Sequence, residues 1–83
     1  MGVSVQVSFY VLGGMDLTAA IERFLAVLRQ RGLTIEVGAM STVIWGDLNE
    51  IFAALRDAYE QASDGQAAVM TITVSNACPV PPA

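Results

Sequence analysis

The residues best equipped for chemistry fall in one segment, Gly38 to Glu50, GAMSTVIWGDLNE. Two hydroxyls, Ser41 and Thr42, follow Met40 at what reads as a turn; then come an indole at Trp45 and two carboxylates, Asp47 and Glu50, three residues apart. Ser8, Tyr10, Thr71, Thr73 and Asn76 supply more hydroxyl, phenol and amide groups from other parts of the chain. Such an inventory suits a small polar aromatic ligand, because ring faces provide contact area and a few donors and acceptors fix orientation. The carboxylate pair also has a structural reading, since Asp followed three residues later by Glu has the spacing of a helix capping box.

Catalysis finds little to work with. The chain has no His, so it can hold no Ser-His-Asp or Cys-His arrangement, and no Lys on which a Schiff base could form. Its single cysteine, Cys78, heads a Pro-rich stretch with no base evident beside it and reads as an incidental thiol. Transition-metal sites rely on His and Cys, and no acidic loop has hard-cation spacing, so no metal and no cofactor are expected. Gly13-Gly14 lacks the spacing of a nucleotide fingerprint and reads as a turn. The expectation is a binding protein, not an enzyme.

Charge and composition narrow the partners. Four Arg against eight acidic residues give a net charge of -4 with no basic run, which argues against nucleic acid. Apolar residues make up 54% of the chain and charged residues 14%, where soluble proteins carry roughly 25% charged. An 83-residue domain has a thin stability margin, and that composition favours self-association. The longest apolar stretch falls far short of the roughly 20 residues that span a membrane, and MGVSVQVSF lacks the basic region of a signal peptide. One cysteine fits a reducing compartment, so the cytoplasm is the expected location.

These groups must be positioned by elements that polarity periods reveal. Val3, Val5, Val7, Phe9 and Val11 alternate with Ser4, Gln6, Ser8 and Tyr10, the period of a strand. Asp16 is placed to cap a helix whose inward stripe is Leu17, Ala20, Ile21, Phe24, Leu25 and Leu28, with Gly32 closing it. Two short strands follow, Leu33 to Val37 and Ser41 to Gly46. Asp47 begins a second helix with the stripe Leu48, Ile51, Phe52, Leu55, Tyr59 and Ala62. Ala68, Met70, Ile72 and Val74 alternate in a fourth strand. The order β-α-β-β-α-β predicts an α+β, ferredoxin-like domain over residues 1–78, with 79–83 a Pro-rich tail. Its antiparallel sheet of four strands carries both helices on one face, with the first and third strands central. The other face then shows Gln6, Ser8, Tyr10, Thr34, Glu36, Thr71, Thr73 and Ser75, polar but nearly uncharged, and reads as a subunit interface. Trp45 is left open between core, interface and ligand contact.

The stretch Leu33 to Glu50, LTIEVGAMSTVIWGDLNE, resembles the thiamine-binding, YkoF-like family of small ferredoxin-like domains. The matching residues are Gly38, Ala39, Met40, Ser41, Thr42, Val43, Ile44, Gly46 and Asp47, with VSFYVLG (Val7 to Gly13) and TITVSNACP (Thr71 to Pro79) similar to the family's first and last strands. The resemblance implies a non-enzymatic domain that binds thiamine or its hydroxymethylpyrimidine moiety and assembles through sheet faces into a homodimer or homotetramer. It points first to Thr42 and Ser41 as polar contacts, with Met40 shaping the pocket, then to Asp47, and to Tyr10, Ser8 and Asn76 by their strand positions. Where the family pattern has Glu this chain has Trp45, which either removes a contact to the aminopyrimidine or offers a ring to stack on. The competing expectation is a structural or protein-interaction module that assembles through its exposed sheet face.

Overall fold

Alternation over eleven residues produces the longest strand, β1 (Gly2–Leu12), and its length accounts for the 39 Å long axis of the molecule. The computed structural model describes residues 1–13 and 16–77; Gly14 of the expected turn, Cys78 and the tail at 79–83 lie outside them. The remaining elements are α1 (Leu17–Gln30), β2 (Thr34–Val37), β3 (Thr42–Asp47), α2 (Leu48–Ala62) and β4 (Ala67–Ser75). The sheet order is β2-β3-β1-β4, antiparallel throughout, so β1 and β3 are central as their patterns predict.

Each helix starts where a carboxylate can accept orphan backbone donors. Asp16 accepts from the amides of Thr18 and Ala19, and Asp47 from those of Asn49 and Glu50. The Asp47 cap is one-sided, because Glu50 does not reach back to complete the box. Gly32, at φ 70°, ends α1 in the left-handed conformation that glycine adopts freely, and its amide donates to the Arg29 carbonyl.

The core lies between the helices and the inner sheet face, where Val3, Val5, Val7 and Ile44 pack on Phe24, Leu28, Ile51 and Leu55. Two stripe assignments need correction. Leu17 and Phe52 are exposed, while Val27, Ala54 and Ala58 are buried. Leu17 begins α1 one turn before the first buried position, Ala20, where the covering has run out. In α2 the buried face runs through Ile51, Ala54, Leu55, Ala58 and Ala62; α1 packs against this helix, and small alanines let the axes approach while the Phe52 ring is left at the margin.

The pairing register also decides Trp45. It stands opposite Thr34 on one side and Ser4 on the other, and Ser4 in turn opposes Ser75. Trp45 therefore belongs to the outer face, with Val43 beside it in the row Glu36, Val43, Gln6, Thr73. Among the described residues no helix is long and apolar enough to cross a membrane.

Candidate functional site

The sheet has a step in it. β3 begins at Thr42, opposite Val7, whereas β1 continues to Leu12, where among the described residues only β4 pairs with it. Beyond Val7 the corner is filled by the Gly38–Ser41 loop, whose residues are small apart from Met40, and Met40 turns outward at 90% exposure. A cavity of about 130 Å³ remains between this corner, β1 and α1.

Its walls come from three elements. β1 gives Val7, Ser8 and Phe9; α1 gives Ile21, Phe24 and Leu25; the corner gives Val37 through Thr42. Phe9 and Phe24 stack with centroids 4.6 Å apart, and Tyr59 meets Phe9 edge-on at 6.1 Å. Tyr59 is itself held, since its hydroxyl donates to the Ala68 carbonyl at 2.9 Å. The aromatic wall is thus braced from behind.

Polar side chains of β1 brace the corner. Ser8 Oγ donates to the Met40 carbonyl at 3.3 Å, and Gln6 Nε2 donates to Ser41 Oγ at 3.1 Å. The Gly38 amide donates to the Ser41 carbonyl at 2.8 Å, closing the loop. A Cβ at Gly38 would lie 3.0 Å from that backbone oxygen, tighter than ordinary contact, so glycine suits the position. Thr42 is only 8% exposed and its hydroxyl makes no hydrogen bond among the described residues. A hydroxyl with no internal partner, on a side chain that lines the cavity, is available to a ligand. Among the described residues that line it, none carries a charge.

Four of the residues singled out from the sequence, Ser8, Met40, Ser41 and Thr42, meet at this cavity. The other four stand elsewhere. Trp45 and Tyr10 lie on the outer sheet face, and Asn76 follows the end of β4. Asp47 caps α2 and pairs with the Met1 ammonium at 3.1 Å; that bond first, then the Glu50 amide, holds its carboxyl below the ordinary value. Phe9, Ile21, Phe24 and Leu25 read as ordinary core because their spacing shows which way they face. It does not show that the space they face is left unfilled. Among the described residues no group of three or more His, Cys, Asp or Glu is placed to hold a metal ion.

Comparison with known proteins agrees with this architecture. A family model described as thiamine-binding protein matches residues 3–76. Protein MJ1052 of Methanocaldococcus jannascii is 29% identical over 89% of this chain and 78% of its own, with a TM-score of 0.81. Protein SP2199 of Streptococcus pneumoniae is 25% identical, covers 96% and 93%, and superposes with a TM-score of 0.73. A candidate thiamine biosynthesis/salvage protein of Thermotoga maritima, TM0486, shares the fold with a TM-score of 0.84 at 18% identity, over 98% of this chain and 90% of that one. No curated protein matches the sequence.

Proposed function

The chain belongs to the thiamine-binding protein family, and on that footing we propose that it binds thiamine, or its hydroxymethylpyrimidine moiety, in the cavity beneath the Val37–Thr42 corner. Membership places it among binding proteins rather than enzymes. The observation that carries the ligand reading is Thr42. A family-motif residue, 8% exposed and with no hydrogen bond to its hydroxyl among the described residues, lines a cavity with an aromatic wall.

Size and charge favour one part of the ligand. A cavity of ~150 Å³ accommodates benzene, so about 130 Å³ suits a single six-membered ring. The neutral aminopyrimidine suits such a site, with Thr42, on the inner sheet face, as its hydroxyl partner. The cationic thiazolium ring would gain nothing from walls without charge and would stay at the open mouth beside Met40.

The same reading assigns assembly to the outer sheet face. In its two central rows, Thr34-Trp45-Ser4-Ser75 and Glu36-Val43-Gln6-Thr73, Glu36 is the one charged residue, and Trp45 offers a large flat contact. A homodimer or homotetramer in the cytoplasm is the form proposed. Calorimetric titration with thiamine, hydroxymethylpyrimidine and the thiazole alcohol tests the ligand: the first two should bind and the third should not. No heat and no thermal stabilisation with either pyrimidine compound at millimolar concentration would refute it.

A further inference from the structure

Gln6 was no part of the expected site, yet it and Ser8 are the β1 side chains bonded to the loop that borders the cavity. Both stand on the outer sheet face. The register explains how they reach it. Gln6 opposes Val43 and Val7 opposes Thr42, so the next position, Ser8, would oppose Ser41 if β3 ran one residue further. The ladder stops there. Ser41 keeps the outward parity of Val43 and Trp45, which places its hydroxyl diagonally across from Gln6, a spacing long side chains span. The loop is thus tied by Gln6 to the Ser41 side chain and by Ser8 to the Met40 carbonyl. The Gly38 amide to Ser41 carbonyl bond closes it internally.

We propose that Gln6 and Ser8 are positioning residues that latch the Gly38–Ser41 loop over the cavity from the opposite side of the sheet. Their polar groups belong to the surface on which a second copy would pack, so a contact there is felt at the cavity. Linkage is reciprocal: a ligand that orders the loop then favours the same arrangement of Gln6 and Ser8 for the partner. The binding consequence rests on the ligand reading above; the latch itself does not.

Native-state hydrogen exchange of the Gly38 amide, with the Leu55 amide of α2 as reference, reads the latch directly. Gln6→Met removes the donor at constant length on an exposed position, so the fold survives. A neutral hydrogen bond of this kind corresponds to about a two- to tenfold change in an opening equilibrium. Gly38 should exchange faster by that factor in Gln6→Met, in Ser8→Ala and in Ser41→Ala, with Leu55 unmoved. Because Gln6 and Ser41 share one bond, the double variant Gln6→Met/Ser41→Ala should go no further than either single change. Unchanged Gly38 exchange, or effects that multiply in the double variant, overturns the latch. Thiamine should slow Gly38 exchange, and its affinity for Gln6→Met should fall only as far as the closed fraction of the loop falls. If thiamine binds and leaves Gly38 exchange unchanged, the positioning role is wrong. If the unaltered protein binds no thiamine, the ligand reading fails, and Gly38 exchange still decides the latch.

Discussion

Thr42→Val should move stability and binding in opposite directions. Thr42 sits on the inner sheet face between Val37 and Val7; the residue is buried, and its hydroxyl has no partner among the described residues. Exchanging that hydroxyl for a methyl group keeps the shape of the side chain. It removes the cost of an unpaired, partly desolvated polar group and adds apolar burial of at most about 0.8 kcal/mol for one carbon. The hydroxyl borders a cavity with an open mouth, so only part of its desolvation cost is recoverable, and a net gain near 1 kcal/mol is expected. For a domain of this length that raises the melting temperature by about 4–8 °C. With ligand present the hydroxyl becomes a partner, and its loss should cost about 0.5–1.5 kcal/mol, a roughly two- to twelvefold weaker complex. Differential scanning calorimetry and titration calorimetry on the same preparations measure both. Thr42→Ser, which keeps the hydroxyl, should retain binding while losing stability. The reasoning is refuted if Thr42→Val destabilises the unliganded protein by 1 kcal/mol or more, since the hydroxyl would then hold the structure. It is equally refuted if the variant binds thiamine as tightly as before.

Three other outcomes follow from the same contacts. Gly38→Ala places a Cβ 3.0 Å from the Ser41 carbonyl, a backbone atom that cannot simply rotate away, so stability should fall by about 1–3 kcal/mol in urea titration and ligand affinity should fall with it. The Asp47 carboxyl is held below its ordinary value, so its contribution is fully present above the unfolded-state value near pH 4 and is lost as pH falls through the lowered folded-state value. Acid titration followed by circular dichroism should therefore show a shallower loss of stability below about pH 4 in Asp47→Asn. Trp45→Ser should leave the monomer folded and weaken self-association in sedimentation equilibrium, and the emission of this sole indole should shift to the red on dilution of the unaltered protein.

The two capped helices and four strands were legible because each rests on local rules. Asp16 and Asp47 cap by hydrogen bonds two and three residues away, and β1 shows its inward face in strict alternation. Leu17 and Phe52 misled for one reason. A helical stripe identifies a face, but its margins depend on what packs against it, and here the close approach of α1 chose alanines over the ring. Trp45 could not be placed until the register put it opposite Ser4 and Thr34, since both faces of β3 carry apolar side chains.

The candidate site divides along the same line. Residue type and order in the Met40-Ser41-Thr42 corner determined which hydroxyls are present and, through the family motif, which chemistry to look for. The sequence also determined what is missing, with no His and no Lys to support catalysis. Only the tertiary structure decided that β3 stops one residue short of Ser8 and that Gly38 folds back on Ser41, which leaves about 130 Å³ between Phe9, Phe24 and Thr42. It alone set Tyr10, Trp45, Asp47 and Asn76 apart from that space and brought Gln6 to the loop. A cavity is defined by where strands end and how a helix crosses them. Those are relations between residues distant in the chain, which no local pattern encodes.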